Sequence, residues 1–223
     1  MFLQDRQSIQ AHRTPASNNH GAINIPALLG PRSWARLPLA VRNRFAIPVR
    51  AGCTVTYHGT MHKVRASGIG KVLAWLARFA GSPVAHLTGT DVPCQVNLYH
   101  DTRRGGTVWE RVYHFGAKTV YARTTKKAAS DGTSLECFGS ALGFGTGMTL
   151  DILEADTALH FVSRNFFIQL LGWRILLPEF LNPGQLVVTH RDLGDGAFQF
   201  LMTVTHPGLG EILFQDGTFH DPE

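Results

Sequence analysis

One short run alternates aromatic and charged residues: Trp109-Glu110-Arg111-Val112-Tyr113. On a strand, Trp109, Arg111 and Tyr113 share one face, and Glu110, Val112 and His114 share the other. A guanidinium between two aromatics on an inward face is costly to bury unless an anion meets it. Two anions are available in principle. Glu136, on a nearby predicted strand, would make a structural ion pair. The carboxylate or phosphate of a bound molecule would instead make Arg111 a polar anchor inside a cavity. Arg123, on the following predicted strand, can join either arrangement. The candidate ligand-binding set is therefore Trp109, Arg111, Tyr113, Arg123 and Glu136.

Other chemistries find little support. His58 and His62 would share one helix face, but on a strand they lie about 13 Å apart, at roughly 3.3 Å per residue, too far to share one ion. The remaining histidines lack H-x-H or H-E-x-x-H spacing. Gly70-Lys71 resembles the end of a phosphate loop, but Arg65 stands at the required earlier glycine and Val72 at the required Ser/Thr. Gly143-Phe-Gly145-Thr-Gly147 is not G-x-G-x-x-G, and a strand follows it, so no helix N-terminus meets a pyrophosphate. No G-x-S-x-G occurs, and Cys137, between Glu136 and Phe138, is expected to be buried and inert. Acid–base work by His58, His114, Asp101 or Glu136 would require at least two of them to converge on one cavity. Neither a cofactor nor a metal is expected, and no catalytic residue is assigned.

The elements that must position these residues are mostly strands. Residues 52–64 alternate, with Cys53, Val55, Tyr57 and Met61 on one face. The clearest helix follows, at about 68–80, with Ser67 as N-cap and Gly81 as stop. Ile69, Val72, Leu73, Leu76, Phe79 and Ala80 form its apolar stripe, and Lys71, Trp75 and Arg78 lie opposite. Further strands are read at 92–99, 107–115, 119–126, 134–138, 148–154, 158–162, 185–192, 197–205 and 210–215. The apolar stretch Phe166 to Leu177 reads as buried on both faces. Residues 1–24 read as a flexible tail, and 25–223 as one α+β domain with short N-terminal helices. The expected architecture is a curved, mainly antiparallel sheet or partly open β-barrel packed on the amphipathic helix.

Composition agrees. The 223 residues, 44% hydrophobic and 17% charged, support one sizeable core and exclude wholesale disorder. Three cysteines without C-x-x-C spacing argue against a disulfide scaffold. The net charge of +5 is unevenly spread: residues 1–127 carry +14 and residues 128–223 carry −9. Either a basic face awaits an anionic partner, or the halves interleave and neutralise each other. No polybasic tract favours specific nucleic-acid binding. No apolar run is long enough for a transmembrane helix, and the N-terminus MFLQDRQSIQ does not read as a signal peptide. A cytoplasmic location is the expectation.

A series of short motifs carries a resemblance. It comprises Trp109-Glu-Arg111-Val-Tyr-His-Phe115-Gly116, Glu136-Cys-Phe138-Gly139, Leu171-Gly172, Leu177-Pro178, Leu181-Asn-Pro183, Phe198-x-Phe200 and Gly210 to Gly217. With Leu28-Leu29-Gly30 and Trp34 to Leu37, the chain over roughly residues 27–220 resembles a bacterial family known only as a domain of unknown function. That domain occurs alone or C-terminal to saccharopine-dehydrogenase-like reductase parts. The resemblance implies no reaction, and it implies a reductase-type protein as one partner class.

Three functional expectations follow. The first is a binding domain with an apolar cavity for a hydrophobic or lipid-like small ligand, its acidic group held by Arg111. The second is a cofactor-independent acid–base enzyme using the same cavity. The third is an interaction module for a reductase partner or an anionic membrane surface, displaying Trp75.

Overall fold

The computed structural model describes residues 21–79, 88–139, 144–171 and 173–222. Two short helices open it, α1 (Ile25–Arg36) and α2 (Leu39–Phe45). Then come β1 (Thr54–Ala66), α3 (Gly68–Phe79), β2 (Gly89–Asp101), β3 (Gly106–Phe115), β4 (Lys118–Ala128), β5 (Ser134–Gly139) and β6 (Phe144–Ala155). The remaining strands are β7 (Ala158–Leu170), β8 (Trp173–Leu176), β9 (Gln185–Gly194), β10 (Ala197–His206) and β11 (Gly210–His220). A single 3₁₀ turn at Glu179–Leu181 precedes β9.

The strands pair in the order β6-β5-β4-β3-β2-β1-β11-β10-β9-β7, and β6 pairs with β7, so the sheet closes on itself as a ten-strand antiparallel barrel. Closure removes the exposed edges that a partly open sheet would leave, which corrects the expected α+β class with a partly open sheet: the described residues are mainly antiparallel strand, with only three short α-helices. Tight turns set the register. Asp195 (φ 50°) and Gly196 (φ 73°) join β9 to β10, and Asp156 (φ 48°) and Thr157 (φ 59°) join β6 to β7. Two consecutive positive φ values match the right-handed twist of the flanking strands.

With a period of two, each strand sends one set of side chains inward. Cross-strand neighbours such as Leu98 and Trp109, Phe161 and Val188, or Phe200 and His190 therefore meet in the lumen. The resulting core is continuous and aromatic-rich. Glycine admits one close approach: Gly59 lies opposite Phe219, and a Cβ there would stand 2.5 Å from that ring.

The expected helical floor is not what fills the barrel. On α3, Ile69 and Val72 are exposed and Leu73 is half-buried. The side chains of Leu76, Arg78 and Phe79, together with Ala80 and Gly81, lie outside the described residues, as do residues 1–20 of the expected tail. The plug is instead α2. Its last residue, Phe45, places its ring among Trp109, Phe161 and His190, with centroids 6.2, 6.0 and 5.1 Å away. Leu37 and Val41 are buried beside it. Asn24 caps α1, and a kink at Gly30 (φ 73°), just before Pro31, bends the helix along β6.

The apolar stretch after residue 166 is also corrected. β7 runs unbroken from Ala158 through a register irregularity opposite Met148–Leu150 and turns back at Leu171 (φ 49°). Phe167 is buried, whereas Leu171, Trp173, Ile175 and Leu176 are exposed on the β7–β8 hairpin. Among the described residues β8 pairs only with β7, and its side chains are exposed.

The uneven charge resolves as interleaving. Arg36 meets Glu154 at 2.5 Å, Arg65 meets Glu211 at 2.6 Å, and Lys126 meets Glu136 at 2.6 Å. Arg44 grips Asp221 through Nε (2.5 Å) and Nη2 (3.0 Å) and reaches Asp192 at 3.4 Å. Each pair joins the basic first half to the acidic second half.

Candidate functional site

Among the described residues, Arg111 from β3, Lys126 from β4, Glu136 from β5 and His190 from β9 project into this apolar lumen, beside the buried Cys94 and His100 of β2 and Tyr113 of β3. Register explains the first three. The turn at Gly116-Ala117 sets Phe115 opposite Lys118, hence Arg111 opposite Ala122 and Thr107 opposite Lys126. Lys126 in turn lies opposite Glu136. Trp109 and Tyr113 share the inward face with Arg111, as alternation predicts, and all three are buried.

Lys126 and Glu136 are 4% and 3% exposed, and the Nζ to Oε2 distance is 2.6 Å. The ammonium also lies 5.2 Å from the Trp109 ring centroid and 5.0 Å from that of Phe161, both within cation–π range. Burial pushes the Lys126 pKa down, with Glu136 opposing and Arg111 adding to the fall. Burial alone would raise Glu136, but the adjacent cations Lys126 and Arg111 outweigh it and hold the carboxyl below its ordinary value. Buried this close together, Lys126 and Glu136 titrate as a pair rather than independently.

Arg111 is different. It is 6% exposed and stacks on Phe200, with its guanidinium carbon 5.1 Å from the ring centroid. No hydrogen bond or ion pair joins it to another described residue. The expected partner, Glu136, is taken by Lys126. Among the described residues, the strands therefore bring two cations and one carboxylate into the lumen, and Arg44 of α2 reaches the same void already paired with Asp221 and Asp192. Below Arg111 in the strand, Tyr113 donates to Gln215 Oε1 at 2.8 Å, and burial raises the phenol pKa. Burial pushes the neighbouring Cys94 thiol up to about 12, so it stays protonated.

His190 sits inside an aromatic cage of Phe45, Trp109, Phe161, Phe198 and Phe200, with centroids 5.1 to 6.0 Å away. Its buried Nδ1 has no hydrogen-bond partner among the described residues. Burial first, then the charges of Lys126, Arg111, Arg44 and His160, push its pKa well below 6.5. The imidazole is neutral. A depressed folded-state pKa means that the unfolded chain binds the extra proton as pH falls below 6.5. Stability is therefore full above that value and declines below it. The expected loss is about 1.4 kcal/mol per pH unit. Urea midpoints at pH 7.5 and 5.5 check this, and His190→Leu should remove that increment of the slope.

Two voids flank Phe45. One of about 20 Å³ is lined by Arg111, His190, Trp109, Phe198 and Phe200. The other, of about 50 Å³, lies toward the mouth and is lined by Lys126, Thr107, Phe161, Ile25 and Ile47. Phe45 lines both. With its ring in place the first has room for about one water molecule.

The remaining sequence candidates lie elsewhere. Arg123 is on the outer face, paired with Glu110. His58 and His114 are exposed, and Asp101 ends β2, where its carboxylate caps the following turn. Only Glu136 of the four acid–base candidates faces the lumen, so that set does not converge. His62 lies outside, 2.9 Å from Thr218 Oγ1. Cys137 is half-buried, on the outer face of β5, and burial raises its thiol pKa. Trp75 is 55% exposed and Lys71 is exposed too. Residues the candidate set lacked are Lys126, His190, Arg44 and Phe45. The first two carry an inward parity signal in the alternations Ala122-x-Thr124-x-Lys126 and Leu186-x-Val188-x-His190.

No helix of the described residues is long and apolar enough to cross a membrane. No curated protein matches the chain, and no solved structure does. One family model does match, over residues 37–219, from the start of α2 to the end of β11, so it takes in every strand and these lumen groups. The chain belongs to that family, described as a domain of unknown function (DUF4166).

Proposed function

We propose that the barrel lumen binds a small hydrophobic or lipid-like molecule carrying an acidic group, with Arg111 as the anchor of that group. The observation that carries this reading is the buried Arg111 side chain, with no hydrogen bond or direct ion pair to a described residue, lining a void among aromatic rings. An unpaired buried cation costs several kcal/mol, and a ligand carboxylate would remove that cost while its apolar body took the place of Phe45. Trp109 and the cage around His190 would supply the apolar contact. Tyr113 and Glu136 then support the site rather than touch the ligand: one is tied to Gln215, the other holds Lys126.

The experiment is native mass spectrometry of the purified protein, followed by identification of released molecules, together with thermal-shift titration against decanoate and decanol. Decanoate should raise the melting temperature saturably and decanol should not. Equal responses, or none, would sink the reading. Phe45→Ala opens the space without touching the anchor. It should tighten decanoate binding roughly tenfold or more, because the ring no longer has to be displaced. Unchanged affinity would mean that Phe45 is a fixed part of the core.

A further inference from the structure

A second, larger cavity lies on the opposite face of the same sheet. On β4, Lys126 points into the lumen, so Thr125 and Lys127 point outward, and Thr125 faces Cys137 across the ladder. Together with Gln169 of β7 and with Arg103 and Arg104 from the β2–β3 turn, they line a cleft of about 150 Å³.

The turn is fixed over this cleft. Asp101 Oδ1 accepts from the backbone N–H groups of Arg103 (2.9 Å) and Arg104 (3.2 Å). Asp101 Oδ2 lies 3.3 Å from Arg104 Nε, and Arg104 Nη1 donates to the Gly139 carbonyl at 2.5 Å. These contacts use two of the five N–H groups of Arg104 and leave three. No carboxylate pairs with Arg103 or Lys127 among the described residues. Thr125 is 3% exposed, and its buried hydroxyl has no hydrogen-bond partner, an omission that folded proteins rarely tolerate without a ligand or solvent partner.

From this arrangement we infer that the cleft is an oxyanion site of the phosphate class, for inorganic phosphate or a phosphomonoester. Three cationic side chains and a buried hydroxyl converge from a turn and a strand. A tetrahedral oxyanion presents acceptors in all those directions, whereas a planar carboxylate presents two in one plane. Among the described residues Asp101 is the single carboxylate at the rim, and Arg104 pairs with it. The inference stands on residues separate from the lumen and survives or fails independently of it.

The test is a titration of the full chain with sodium phosphate at constant ionic strength, with chloride as the balancing anion, read by amide chemical shifts and calorimetry. Saturable shifts around Arg103, Thr125, Lys127 and Gly139 are expected. Arg103→Gln and Lys127→Gln should each weaken binding about tenfold. Thr125→Val, nearly isosteric, should weaken it severalfold with the melting temperature little changed. Phenyl phosphate binding more tightly than phosphate would identify a phosphomonoester site, and equal binding a site for the ion itself. Shifts that are linear, that chloride reproduces, or that survive all three substitutions would overturn the inference, and the wild-type titration decides even if a variant misfolds.

Discussion

Glu136→Gln is expected to be the most damaging single change in the lumen, costing about 3–5 kcal/mol of unfolding free energy. The carboxylate is the lone buried anion there, facing Lys126 at 2.6 Å and sensing Arg111 as well. Removing it strands two cations in an aromatic interior. Lys126→Met should cost distinctly less, because Glu136 keeps the charge of Arg111 and a methionine fills the space of the lysine stem. Denaturant midpoints of the two variants check the order. The reverse order would show that Arg111 takes no share in balancing the carboxylate.

Arg111→Met should move stability and binding in opposite directions. The empty protein should hold its stability or gain up to about 1–3 kcal/mol, since a buried charge with no direct ion pair is exchanged for an apolar side chain of similar length, set against the lost attraction to Glu136. Decanoate binding should fall by about a hundredfold, equivalent to about 2.7 kcal/mol for a lost charge-assisted anchor. Calorimetry and thermal melts on the same two proteins read both quantities. A destabilised variant would mean that Arg111 is a structural cation, held by its attraction to Glu136 and by the Phe200 face.

Much of this was legible from residue types. The strand at 107–115 places Trp109, Arg111 and Tyr113 inward by alternation alone, and the structure agrees. Arg123 was misplaced in the candidate set: a two-residue turn at Gly116-Ala117 makes it face Glu110 on the outer surface, so register excludes it from the lumen. That inference needs the turn length, which the composition of a Phe-Gly-Ala-Lys run leaves open. Lys126 was obscured by Lys127 beside it, since a lysine pair resembles a solvated face and parity is visible only once the register is known. Barrel closure depends on β1 meeting β11, the first and last strands of the chain order, and no local pattern encodes so distant a partner. The α3 stripe misled for a related reason. Periodicity reports that a face is apolar, not that something covers it, and here Ile69 and Val72 remain exposed. Phe45 carried no signal, because a single aromatic at a helix end looks like any core residue.

The ring of strands runs as a near-continuous meander, so its seam is the pairing of β1 with β11. These two strands stand at opposite ends of the barrel sequence. Nearly every other ladder can form between chain neighbours, but this one waits until the last strand exists, and it carries the largest loop-closure entropy in the molecule. Until then, the inward faces of Tyr57, Met61 and Phe219 have no neighbour across the gap, and two strand edges stand open to any other chain. During synthesis the barrel is thus an all-or-nothing enclosure, sealed by its final eleven-residue strand.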